Sequence, residues 1–138
     1  MKHILIICTF FMAGYSSLYS QAKPYNAVFD ITTDDTAVHQ RVIRWVNSIS
    51  KDYPDAKLEV VFYGKSLPMV EKGKSTVAMD VEKLAASKKV TFAVCEQAMK
   101  VHKVEKNMLI DGVRTVPDAL HELVTKQAEG YGYIKVTN

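Results

Sequence analysis

The chain is 138 residues long with a formal net charge of +3, and 24% of its residues are charged. This length suits one domain. The lysines are scattered among acidic residues and form no basic stripe with interleaved aromatic side chains, so we expect no nucleic-acid partner.

The first 22 residues have the layout of a secretory signal peptide. Lys2 and His3 form a short basic start, and an apolar run follows from Ile4 to Ala13. That run is too short to span a bilayer as a stable helix, and small residues precede a cleavage point at positions 20–22. We therefore expect a periplasmic or secreted protein with no stable membrane insertion. A buried first strand over the same run is the alternative.

Cleavage would divide the chain into a leader, residues 1–22, and a mature domain, residues 23–138. It would remove Cys8 and leave Cys95 as the single cysteine of the mature domain. A lone cysteine in an exported protein is buried and inert, paired between chains, or reactive.

The mature domain alternates strand and helix patterns. Short apolar runs predict strands, and apolar residues at helical spacing predict helices between them. Five strands with intervening helices favour an α/β fold, with a mostly parallel sheet and helices on both faces. The predicted strands cover residues 27–31, 58–63, 90–94, 113–116 and 131–136.

Two of the predicted helices have a clear apolar face. The first begins near Asp34 and Asp35, and its buried side carries Val38, Val42, Trp45, Val46 and Ile49. His39 falls on its polar side, so we expect a solvated surface residue there. The last helix opens at Pro117 and Asp118, and we expect its core-facing residues to be Leu120, Leu123, Val124 and Ala128.

Cys95 is the candidate site residue because it ends the third predicted strand, and sites of open α/β sheets lie at the carboxyl ends of strands. The helix that follows would favour the thiolate through its N-terminal partial charge. Glu96 would oppose this, whereas Lys100 and His102 are candidate auxiliaries one to two turns along. A small buried thiol that only fills the core is the alternative.

A metal site built from Cys95, His102 and His121 would need three separate segments to converge. Their spacing matches no compact ligand motif, so we predict no metal and no cofactor. A cysteine hydrolase would also need a base and an orienting group. Asp30 and Asp111 are candidates for the orienting group, but their sequence positions do not bring them to Cys95.

Three stretches together indicate a family. They are Val60–Gly64 with the segment after it, Val90–Cys95 with the later Asp111-Gly112-Val113 turn, and Val116–Leu123 with the closing segment 126–134. Over residues 25–136 the chain resembles the DsrE/DsrF-like (YchN-like) proteins, in particular a small exported branch.

That resemblance implies a three-layer α/β/α fold with a five-stranded sheet and a homo-oligomer, often a trimer or hexamer. In the sulfur-relay members, a cysteine at this strand end carries a persulfide between partner proteins, and Cys95 matches that position. The preferred hypothesis is therefore an exported sulfur-handling protein that uses Cys95 as a persulfide acceptor, with a donor or acceptor protein as partner. The alternatives are a non-catalytic oligomeric binding module with Cys95 in its core, and a small-molecule or metal-binding protein.

We predict that the precursor is cleaved within positions 20–22, because a basic start, an apolar run and small residues follow one another there. N-terminal sequencing of protein recovered from the cell envelope checks this. Exported protein that still begins at Met1 would contradict it.

Overall fold

Hydrogen bonding along five strands organises residues 24–137, the part of the chain that this computed structural model describes. The strands are β1 (Asn26–Ile31), β2 (Lys57–Phe62), β3 (Val90–Cys95), β4 (Arg114–Val116) and β5 (Gly132–Lys135). The α-helices are α1 (Thr36–Asp52), α2 (Ala78–Ala86), α3 (Glu96–His102) and α4 (Ala119–Ala128). Two short 3-10 turns complete the elements, at Leu67–Val70 and Lys106–Met108.

The sheet has the strand order β4-β3-β2-β1-β5. Each pairing within it is parallel, which confirms the predicted α/β fold and makes the sheet fully parallel over the described residues. The central strands β1, β2 and β3 are almost wholly buried, as expected for parallel strands covered on both faces.

Side chains alternate between the two faces of the sheet. Phe29, Val60 and Phe92 point to the first face, where they meet α1, α2 and the 3-10 turn at Leu67–Val70 in the larger apolar cluster. The second face carries a smaller cluster that is closed by α4. Its members are Val28, Val61, Ala93, Cys95, Val116, Ala119 and Leu123.

The prediction that His39 is a solvated surface residue is wrong. Its side chain is buried, and its Nε2 lies 2.9 Å from the carbonyl oxygen of Thr33. The buried face of α1 is wider than its valine stripe, because His39 lies one turn before the buried Ile43. A backbone carbonyl satisfies the imidazole there, which makes its burial tolerable. Trp45, predicted on the buried side, is instead 39% exposed.

The predicted core face of α4 is partly wrong. Leu123 is buried as expected, but Leu120 and Val124 are 60% and 63% exposed, and Ala128 is exposed too. Ala119 takes the place beside Leu123, since residues four apart lie on one side of a helix. Because the strand residues beneath α4 are few and small, only a narrow side of this helix is buried.

The predicted leader, with its apolar run and Cys8, lies outside the described residues. Within residues 24–137, no helix combines the length and apolar character needed to cross a membrane.

We predict that Leu123→Ala destabilises the domain by about 2–5 kcal/mol, because the truncation leaves a cavity in the second apolar cluster. Leu120→Ala, on the exposed side of the same helix, is the matched control and should change stability by less than about 0.5 kcal/mol. Denaturant unfolding of both variants measures the difference. Equal effects would show that α4 is docked through another side.

Candidate functional site

Cys95 lies at the carboxyl end of β3, where its Cα pairs with that of Val116 on β4. It is also the N-cap residue of α3, and its side chain makes no capping hydrogen bond there. The residue is only 6% exposed. The second apolar cluster therefore covers the thiol, and a reagent from solvent reaches it only if that cover opens.

Glu96 follows Cys95 but is occupied by other partners. Its Oε1 accepts hydrogen bonds from Thr115 Oγ1 at 2.8 Å and lies 3.2 Å from Lys106 Nζ. The hydrogen bonds from Thr115 and Lys106 lower the pKa of Glu96. The carboxylate that was expected to oppose a Cys95 thiolate is thus partly balanced by a neighbouring ammonium group.

Lys100 and His102, the predicted auxiliaries, lie on different cavities. Lys100 lines a surface cavity of about 460 Å³ together with Met99 and Lys106. His102 lines another of about 320 Å³ whose charged residues are Asp34, Lys65, Glu71 and Lys74. Cys95 lines neither of these two cavities, so a role of either side chain at the thiol stays a prediction.

A polar cluster lies beside Cys95 on the second face. Phe62 of β2 pairs with Val94 of β3, so Tyr63 comes next to Cys95, and Tyr63 packs against the second apolar cluster. Its hydroxyl group is 3.2 Å from Oδ2 of Asp30, whose side chain is almost fully buried on β1.

Two residues of β5 complete this cluster. The hydroxyl group of Tyr133 donates to the same Asp30 oxygen at 2.6 Å, and Lys135 Nζ is 2.9 Å from Oδ1. The Lys135 ammonium group also lies 5.7 Å from the ring centre of Tyr63. One buried carboxylate on β1 therefore orients a phenol that directly follows β2 and a phenol and a lysine on β5.

Both phenols act as neutral hydrogen-bond donors. Burial, followed by the charge of Asp30, raises the pKa of Tyr63 to about 12. The hydrogen bond to Asp30, with burial second, raises the pKa of Tyr133 to about 12. The pair keeps its protons at neutral pH, so it stabilises a buried negative charge without changing its own charge.

Comparison with known proteins identifies the family to which this chain belongs. The model of the DsrE/DsrF-like family matches residues 26–136. The chain belongs to the DsrE/DsrF-like family. This confirms the resemblance on which the sequence hypothesis depends.

Solved structures of other proteins have a similar fold. A protein of unknown function from Methanobacterium thermoautotrophicum has a TM-score of 0.75 and 27% identity, over 80% of this chain and 98% of that one. The ychN protein from E. coli has a TM-score of 0.65 and 12% identity, over 80% and 96%. A conserved protein of unknown function from Bacteroides thetaiotaomicron has a TM-score of 0.64 and 15% identity, over 83% and 99%. No curated protein matches the chain.

Metal ligands do not gather in the described part of this DsrE/DsrF-like chain. Residues 24–137 hold no group of three or more His, Cys, Asp or Glu side chains placed to bind a metal ion. Cys95, His102 and His121 thus do not converge there.

The sequence hypotheses weighed Asp30 and Asp111 alike, but the structure separates them. Asp111 forms an exposed ion pair with Lys72 at 2.8 Å. Asp30 is the centre of the Tyr63–Tyr133–Lys135 cluster. The sequence signal was an acidic residue within an otherwise apolar strand, since a buried carboxylate needs partners. The partners on β2 and β5 are more than 30 residues away in sequence, so only the strand order could identify them.

Proposed function

We propose that this protein handles sulfur outside the cytoplasm and that Cys95 accepts sulfane sulfur as a persulfide. The observation that carries the proposal is the place of Cys95, at the carboxyl end of a central strand and at the start of α3, in a chain of the DsrE/DsrF-like family. Sulfur transfer needs one nucleophilic thiolate, and a partner protein supplies the other sulfur atoms. A mature domain with one thiol meets that need.

The transfer balances with one donor persulfide. The Cys95 thiolate attacks the outer sulfur of a donor R–S–SH, the donor S–S bond breaks, and a new S–S bond forms on Cys95. The donor leaves as its thiolate R–S⁻, while the proton on the outer sulfur travels with that sulfur. No external oxidant or reductant is required.

The burial of the thiol favours a second candidate. A cysteine that is 6% exposed within an apolar cluster is also what a core residue looks like, because cysteine packs as a small apolar side chain. The alternative function is a non-catalytic oligomeric binding module in which Cys95 only fills space.

We predict that Cys95 gains one sulfur atom when the folded protein is incubated with a low-molecular-weight persulfide donor. Mass spectrometry of the Cys95 peptide measures the gain, and the Cys95→Ser variant should show none. Loading is expected to proceed under native conditions, because local opening of the cover exposes Cys95 without global unfolding.

Denatured protein serves as the second control. A sulfur adduct that appears only after unfolding would identify Cys95 as a core residue and leave the binding module as the function. Comparison of unfolding free energies for wild type and Cys95→Ser ensures that the control variant is folded.

We further propose a homo-oligomer, a trimer or a hexamer. Its support is an apolar groove of about 380 Å³ beside β5, which lies at one edge of the sheet. Tyr25 and Trp45 in that groove are 38% and 39% exposed. Aromatic side chains of this kind are enriched in protein interfaces.

We predict that light scattering at micromolar concentration gives a mass above that of the monomer. Trp45→Glu should lower that mass, because a carboxylate would have to be desolvated in the interface. Met79→Glu, at a highly exposed position on α2, introduces the same group and should leave the mass unchanged. A monomer mass for the wild type would contradict the assembly.

A further inference from the structure

Helix α4 covers the cluster that contains Cys95, yet its apolar contact is small. Ala119 and Leu123 are its buried residues, and its outer side is solvated. Helix α1 on the opposite face buries five residues along its length. Hydrophobic stabilisation scales with the apolar area removed from water, so α4 depends more than α1 on other interactions.

Those interactions come from one arginine that joins α4 to the sheet. Arg114 of β4 donates from Nη2 to Glu59 Oε1 on β2 at 2.7 Å, and the same nitrogen donates to Glu122 Oε1 on α4. The Glu59 side chain is 4% exposed and that of Glu122 is 15% exposed. A buried carboxyl group on the sheet and a nearly buried one on the helix thus share the guanidinium group of Arg114.

A second cation, on α4, also lies near Glu59. Lys126 of α4 places its Nζ 3.8 Å from Glu59 Oε2, and this ammonium group is also 2.8 Å from Glu129. Tyr131, after α4, lies under the same ammonium group. The neighbours of Glu59 on the flanking strands are Val28 and Thr91, which carry no charge.

This arrangement shifts the pKa values of the two carboxyl groups in opposite directions. Burial and the hydrogen bond with Glu122, opposed by the charges of Arg114 and Lys126, raise the pKa of Glu59 to about 7. For Glu122, burial alone would raise the pKa, but the hydrogen bonds from Glu59 and Arg114 lower it. With α4 docked on the sheet (the closed form), Glu59 therefore keeps its proton at pH values at which an exposed glutamate has already lost it.

We infer that α4 is a lid over Cys95 and that ionisation of Glu59 loosens this lid. As the regulation of a sulfur-accepting thiol, the inference rests on the proposed function. The lid motion itself depends only on the Arg114 bridge and the buried cluster.

Proton linkage determines whether a rise in pH stabilises or destabilises the closed form. Glu59 has a raised pKa in the closed form and an ordinary one, near 4.5, once α4 has left and water reaches it. Between these two values the closed form binds more protons, so the free energy that favours closure falls as the pH rises. Glu122 has the opposite sign, but it acts below its ordinary pKa and leaves the window from about pH 5 to pH 8 to Glu59.

The test is the alkylation rate of Cys95 in wild type and in Glu59→Gln, measured with iodoacetamide from pH 6 to pH 8 by mass spectrometry of the Cys95 peptide. At each pH the wild-type rate is divided by the variant rate, which cancels the ionisation of the thiol itself. The glutamine keeps an oxygen for Arg114 but cannot ionise. We expect the ratio to rise about tenfold over this range.

Glu82→Gln is the matched control, because it removes the same charge from an exposed position on α2. The ratio of wild type to this variant should stay flat. A flat ratio for Glu59→Gln as well would overturn the lid proposal.

Hydrogen exchange of wild type gives the second measurement, which does not need a folded variant. The exchange rate of α4 amides divided by that of α2 amides should rise with pH, and a constant quotient would overturn the proposal. Both measurements record access to α4 and Cys95, not sulfur transfer. A working lid without persulfide loading would contradict the proposed function, whereas loading with a flat ratio would contradict only the lid.

Discussion

Parallel hydrogen bonding between β1, β2 and β3 determines which side chains meet at the carboxyl edge of the sheet. The register pairs Phe62 with Val94 and Asp30 with Val61, and alternation then sends Cys95, Tyr63 and Asp30 to the same face. A shift of one residue in either pairing would turn the thiol and the carboxylate to opposite faces. The site thus depends on the core, because the apolar side chains that alternate with these residues hold the register.

The two faces of the sheet differ in how the helices on them are held. On the first face, large apolar side chains from the strands and from α1 and α2 form the main core. On the second face, the buried apolar strand residues are small and the other strand residues are polar or charged, and α4 is held by the Arg114 bridge as well as by Leu123. Charged pairs in partly buried positions contribute little net stability compared with apolar contacts. The element that covers the thiol is therefore less firmly attached than those that hold the fold.

The sequence was informative wherever local patterns decide structure. Apolar runs located the strands to within a residue or two, and α1 and α4 begin where the sequence predicted, directly after the N-cap residues Asp35 and Asp118. Local patterns could not decide which side of a helix meets a neighbour, so His39 and Leu120 were placed on the wrong sides. The bridge from Arg114 to Glu59 spans 55 residues, and such a contact exists only after strands β2, β3 and β4 have taken their order.

Burial of Cys95 gives it two properties that an exposed thiol would not combine. An apolar cover slows oxidation of a thiol, which matters in the oxidising compartment where we propose that this protein works. The same cover would block sulfur transfer if it were permanent. A cover held by few apolar contacts and by ionisable groups can open locally at a small fraction of the free energy of global unfolding. Protection and reactivity of the thiol are then governed by one helix, and the buried carboxyl group of Glu59 connects both to the proton concentration.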